Sequence, residues 1–236
     1  MWYDAALGKM IQGELYSHKA LVGLLIQEKP GLGQSGYHWA IDRLLKKGAL
    51  VKKGYGMYSI SDGKNVQPFL PSYSEDALSL TKSLSNKYPN IAFTVFETAL
   101  MNRFLNHLIG QNAVFLQVEK ESSIYVFRYF QEEGQNNVLY KPNKKEFRLY
   151  WNTGTTVITD LISEAPMRSD DPHSIMLEKM LVDMCADKLI ASTFSRAELP
   201  DVFDQAMSRY ILDEPRMMRY ARRRNKEDEI KKYIRR

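Results

Sequence analysis

Apolar residues recur at helical spacing through the first third of the chain. Asp4 stands as a capping residue before Leu7, Met10 and Ile11, and Gly13 supplies a stop. Ser17 is placed to cap a second helix carrying Leu21, Leu24 and Leu25, which ends before Pro30. The stretch Pro30-Gly31-Leu32-Gly33 reads as a turn. Gln34 or Ser35 then opens a third helix that runs to Lys47 and closes at Gly48. With successive residues roughly 100° apart on a helix, Tyr37, Ala40, Ile41, Leu44 and Leu45 share one side. Ser35, Trp39, Asp42, Arg43 and Lys46 share the other. Two short strand-like runs follow, Leu50–Lys53 and Met57–Ile60, joined by Gly54-Tyr55-Gly56, whose glycines suit a hairpin turn. Three helices and a β-hairpin in this order predict a winged helix-turn-helix.

Residues 62–73 hold Gly63, Pro68 and Pro71 and read as a linker. Beyond them Ser74 to Lys87 fits a helix stopped by Pro89. Strand-like runs then appear at Ile91–Glu97, Val114–Glu119, Val138–Tyr140 and Thr156–Ile162. Helix-like segments lie between them at Leu100–Leu108, Ser122–Glu133 and Lys144–Trp151. Such alternation predicts a sheet covered by helices. From Ser174 the pattern is helical, with breaks near Pro200, Asp213–Pro215 and Asn225. The expected fold class is α+β or α/β: a winged helix-turn-helix over 1–61, a linker over 62–73, and an α/β domain with a C-terminal helical part over 74–236.

Composition adds limits. The chain has 236 residues, 44% of them hydrophobic, which is enough for a substantial core. A formal net charge of +5 favours an anionic partner. Cys185 is the sole cysteine, which excludes an intramolecular disulfide and fits a reducing cytoplasm. No basic segment with an apolar core opens the sequence, so no secretory leader is expected. The wholly apolar stretch around Ala20–Ile26 is far short of a membrane span.

Candidate chemistry concentrates in the first sixty residues. A recognition helix reads base edges with its outward, N-terminal side chains. Gln34, Ser35, His38, Trp39 and Arg43 occupy those places. Lys46, Lys47, Lys52, Lys53 and Tyr55 belong to the helix end and the hairpin, where phosphates would run. Asp42 on the same face would repel phosphate and favours the rival reading, a protein-contact module. Arg219, Arg222, Arg223 and Arg224 form a second basic run. It reads either as a patch for phosphate or an acidic partner, or as a solvated helix whose arginines pair with Glu227, Asp228 and Glu229. Nothing in the sequence carries catalysis. His18, His38, His107 and His173 have neither metal-site nor triad spacing, and no phosphate loop or dinucleotide fingerprint occurs. Glu97 and Asp160 end strands, where acids serve as caps or salt-bridge partners. No metal or other cofactor is expected.

The order of "KKGALVKKGYGMYSI", an α/β middle, "LISEAP", "MLEKMLVDMCADK" and "MMRYARRRNKEDEI" resembles the AbiEi-like antitoxin family of bacterial type IV toxin–antitoxin systems. That resemblance covers most of the chain. It implies a cytoplasmic transcriptional autorepressor whose N-terminal domain binds promoter DNA. It further implies a second domain opposing a cognate toxin of nucleotidyltransferase fold, with or without a direct complex. Carried over by position, Lys52, Lys53, Tyr55 and the helix face Ser35–Arg43 become the DNA contacts. A monomer, or a homodimer on repeated half-sites, would serve. The alternatives are a nuclease or nucleotidyltransferase-like enzyme with a DNA-targeting head, and a ligand-sensing transcription factor.

Overall fold

The expected mixture of helices and strands is present in a computed structural model, which describes residues 1–52, 56–61 and 66–234. The chain divides into one unit of Met1–Phe69, Val202–Leu212 and Lys231–Arg236 and a second of Leu70–Asp201 and Asp213–Ile230.

The first unit opens with α1 (Asp4–Leu7), β1 (Tyr16–Ser17), α2 (His18–Glu28), α3 (Gln34–Lys46), β2 (Leu50–Lys52) and β3 (Met57–Ile60). Helix α1 is shorter than its apolar spacing predicts, because Gly8 ends it. Asp4 is not its cap but its first residue, and the Asp4 carboxylate instead accepts from the Met1 amine at 2.6 Å. Ser17 caps α2 as expected, its Oγ accepting from the Ala20 amide at 3.2 Å. Gly33 caps α3 without a side-chain bond. Strand β1 carries no signal in the sequence, yet it pairs antiparallel with β3, placing Tyr16 opposite Tyr58. The resulting sheet has the order β1-β3-β2. Tyr3, Leu21, Leu25, Tyr37, Ile41, Leu44 and Leu50 are buried together as the core of these elements. At the end of α3, Gly48 has φ +67°, and a Cβ there would come within 3.2 Å of the Val66 carbonyl. Glycine meets both demands.

The second unit is built on α4 (Glu75–Lys87), β4 (Phe93–Glu97), β5 (Ala113–Val118), α5 (Ser123–Glu132), β6 (Val138–Tyr140), α6 (Lys144–Tyr150) and β7 (Thr155–Asp160). A 3₁₀ turn over Thr98–Arg103 replaces the helix expected at Leu100–Leu108. The sheet order is β4-β5-β7-β6, with β4 antiparallel and the other strands parallel. One face sets Phe93, Val95, Val114, Leu116 and Ile158 against Ala77, Leu80 and Leu84 of α4 and Val126 and Phe130 of α5. On the other face Phe115 meets Phe147 of α6, ring centres 5.8 Å apart. Covered on both sides, β5 is buried along its whole length. The outer edge of β4 is also covered. The Val95 amide donates to the His173 carbonyl at 2.7 Å, and the His173 ring stacks on Phe93 at 3.9 Å. Tyr73 closes the same edge, donating to the Val95 carbonyl at 2.8 Å and accepting from the Ile175 amide at 2.9 Å.

Four more helices follow in the chain: α7 (Leu177–Ala186), α8 (Leu199–Arg209), α9 (Glu214–Arg223) and α10 (Glu227–Ile234). Their breaks follow the sequence signals. Pro200 sits in the first turn of α8, Asp213 caps α9, and Asn225 leaves α9 with φ +55°.

A charged cluster fixes the second unit from inside. Lys179 on α7 has no exposed side-chain surface. Its ammonium donates to the Gln117 Oε1 of β5 and to the Asp183 Oδ2 at 2.5 Å. The other carboxylate oxygen of Asp183 accepts from the Tyr220 hydroxyl and the Arg224 guanidinium, both at 2.9 Å. Burial alone would raise the Asp183 pKa, but the charges of Lys179 and Arg224 outweigh it and hold the group below the usual carboxylate range. Asp187 lies one turn on. Burial first, and then the Asp183 charge, push its pKa up.

Removing one partner strands the other in a dry interior, so Lys179→Met or Asp183→Asn should each cost about 3–5 kcal/mol in urea denaturation of the full chain. The Asp187 shift has the opposite sense. A raised folded-state pKa gives stability below the unfolded value, lost as pH rises through the folded one. Asp187→Asn should therefore stabilise the chain at neutral pH, and the gain should vanish as pH falls toward 4, the unfolded aspartate range being about 3.9. Denaturation midpoints across that range check it.

Candidate functional site

The site begins with how α3 is held. Tyr37, Ala40, Ile41 and Leu44 recur at i, i+3, i+4 and i+7 and are buried. The Tyr37 hydroxyl donates to the Lys29 carbonyl at 2.9 Å and accepts from the Leu32 amide at 3.2 Å. One buried side chain thus fixes both the helix and the turn that leads into it. With that side anchored, Gln34, Ser35, His38, Trp39, Asp42 and Arg43 are turned outward and exposed. The face-by-face reading of α3 from its sequence therefore holds for these residues.

Contacts within this face are aromatic and cationic. Trp39 keeps 48% of its surface exposed, large for a tryptophan. Its ring meets Tyr3 edge-on at 5.7 Å, and the Arg43 guanidinium lies 5.2 Å from its centre. Such a stack contributes about 0.5–1 kcal/mol at an exposed site. His38 approaches His18 of α2, ring centres 4.9 Å apart. The His18 amide in turn donates to the Gly56 carbonyl at 2.9 Å, which ties the start of α2 to the start of β3. Lys47 is exposed but engaged: its ammonium is 3.1 Å from the Asp4 carboxylate. The Met1 amine and then Lys47 hold the Asp4 carboxyl below its usual range. Lys53 and Tyr55 lie outside the described residues, as do the side chains of Lys46 and Lys52.

The second basic run does not form one surface. Met217, Met218, Tyr220 and Ala221 make the buried stripe of α9. Arg219, Arg222 and Arg223 are exposed around it. Arg222 pairs with Glu227 at 3.0 Å, and Arg223 donates to the Ser163 hydroxyl at 2.6 Å. Arg224 turns inward, only 13% exposed, and belongs to the Asp183 cluster. Its position directly after a run of exposed arginines hides that role in the sequence.

The strand-end acids have partners within the second unit. Glu97, 1% exposed, accepts from the Ser74 amide at 2.8 Å and from Asn112 at 2.6 Å. Asp160 pairs with Lys141 at 2.7 Å and accepts from Ser123 at 3.0 Å. The two acids serve as cap and ion-pair partner. His107 contacts Glu198 at 3.0 Å. Burial pushes the Cys185 thiol up to about 12, which leaves no thiolate at neutral pH. Among the described residues no group of three or more His, Cys, Asp or Glu is placed to hold a metal. Nor is any described helix long and apolar enough to cross a membrane. An open cleft of about 280 Å³ in the second unit is lined by Asp76, Ser79, Asn136, Asn137 and neighbouring residues.

Sequence reasoning missed the His18–His38 contact and the Asp4–Lys47 pair. Both join residues far apart in the chain, and neither has a spacing that periodicity can show.

The chain belongs to DUF6577, a family of unknown function, whose model matches residues 37–236. No curated protein matches the sequence. Among solved structures, the crystal structure of the RV2827C protein from Mycobacterium tuberculosis is similar at 13% identity, over 94% of this chain and 81% of that one, with a TM-score of 0.23.

Tyr37→Phe removes the hydroxyl that serves both Lys29 and Leu32 while keeping the ring. It should lower stability by about 1–2 kcal/mol, the cost of leaving a part-buried amide and carbonyl without their partner. Chemical denaturation of the full chain checks this.

Proposed function

We propose that this protein is a DNA-binding transcriptional autorepressor and the antitoxin of a type IV toxin–antitoxin system, opposing a toxin of nucleotidyltransferase fold. In this reading α1–α3 with β2 and β3 form a winged helix-turn-helix, and α3 is the recognition helix. The observation that supports it best is the polarity of α3. One side is locked into the core through Tyr37, and the opposite side presents Gln34, Ser35, His38, Trp39 and Arg43 to solvent.

The physical roles then divide. Gln34, Ser35, His38 and Arg43 meet base edges, and Lys46, Lys52 and Lys53 meet phosphates beside them. Lys47 contributes less than its position suggests, because Asp4 already holds its ammonium. Asp42 points outward on the same helix and is best accommodated over the groove, away from the phosphate ridges. A head this small buries little surface, so two copies on repeated half-sites would give tight operator binding. No cofactor enters this scheme. The second unit carries the antitoxic activity in the cytoplasm, and the family resemblance carries that part of the proposal.

Two measurements test the proposal. In gel shifts on the DNA upstream of its own gene, the full chain should bind at low salt and weaken steeply as salt rises. Lys52→Ala with Lys53→Ala should flatten the log–log salt slope by about 2, since each lost phosphate contact removes about 0.9. Absence of any shift at low salt rejects the DNA-binding reading. Coexpression with a neighbouring nucleotidyltransferase-like gene should restore growth that the neighbour alone arrests. Continued arrest rejects the antitoxin reading.

A further inference from the structure

We propose that Arg43 reads a guanine in the major groove and that Trp39 positions it to do so; the inference rests on the DNA-binding reading above. Guanine presents N7 and O6 side by side as acceptors, and the planar fork of a guanidinium matches both at once. Arg43 carries that fork on the exposed face of α3.

What sets Arg43 apart is its partner. Its guanidinium lies over the ring of Trp39, one helical turn earlier, at 5.2 Å from the centre. An aromatic face attracts the cation without taking up its N–H donors as a carboxylate would, so those donors stay available to a ligand. No carboxylate among the described residues forms an ion pair with Arg43. Lys47 and Arg222 differ in this respect, being held by Asp4 and Glu227. Trp39 is itself steadied from below: its ring meets the edge of Tyr3, which is buried in the core. The chain core–Tyr3–Trp39–Arg43 therefore restricts a long side chain before any ligand arrives. That lowers the ordering cost of binding and favours one bidentate geometry over a diffuse phosphate contact.

The test uses the full chain and a random-sequence DNA duplex library. Duplexes are selected with the unaltered protein. Kd is then measured on the best duplex and on copies in which each G·C pair is changed to A·T. One pair should stand out, its replacement weakening binding about 10-fold or more. Arg43→Ala should bind the original and that altered copy alike. Arg43→Lys retains the charge and guards against a folding defect; it should still lose most of the discrimination at that pair, because an ammonium has no fork. Trp39→Ala should lower discrimination at that pair and leave it intact at the others. If Arg43→Ala and Arg43→Lys bind DNA and still discriminate at every G·C pair, the guanine assignment is overturned and DNA binding stands. If Trp39→Ala leaves that pair untouched, or weakens all pairs equally, the positioning role is overturned. If the unaltered protein selects no duplex, the DNA-binding reading fails and this inference with it.

Discussion

A lysine ammonium with no access to water organises the second unit. Charges in a dry interior are tolerated where they are paired and hydrogen-bonded. Lys179 meets that condition by joining Gln117 of the central strand to Asp183 on its own helix, while Tyr220 and Arg224 of the C-terminal region fill the remaining carboxylate oxygen. Sheet, α7 and the end of α9 are thereby fixed to one point. Apolar packing alone would allow α7 to slide or rotate over the sheet, since Leu, Met and Val surfaces interchange at small cost. A bidentate carboxylate with assigned partners does not slide. A fully satisfied network of this kind rigidifies the packing around it.

The first unit follows the opposite plan. Its interior is apolar and aromatic, and its charges lie outside. The Tyr37 hydroxyl, which shapes it, binds backbone and carries no charge. Cations are thus left at the surface of α3, where they remain responsive to a ligand and to salt.

Much of the local structure was legible in the sequence because it is locally determined. Ser17 and Ser74 announce their helices through the bonds they make three residues on. The apolar stripe of α3 and the strands β4, β5, β6 and β7 follow from periodicity and β-branched runs. What escaped was set by partners distant in the chain. Strand β1 exists because β3 pairs with it. Asp4 does not cap α1, and its carboxylate instead pairs with Lys47, 43 residues on. In "LEKMLVD" the lysine and aspartate look like solvent-facing interruptions of an apolar helix, and only the fold turns them inward. Arg224 escaped for the same reason. For the candidate interface, the outward residues of α3 were readable, and the stack of Arg43 on Trp39, at i and i+4, lay within reach of helical spacing.

The strap across β4 bears on how the protein behaves when crowded with copies of itself. An uncovered outer strand offers a row of unsatisfied amides and carbonyls on which another chain can nucleate a continuous ribbon. Here the His173 carbonyl and the Tyr73 hydroxyl occupy those positions, and an imidazole lying flat on Phe93 keeps the strap seated. Protection of this edge is therefore delegated to a few residues, and a lesion there would express itself as fibrillation or precipitation.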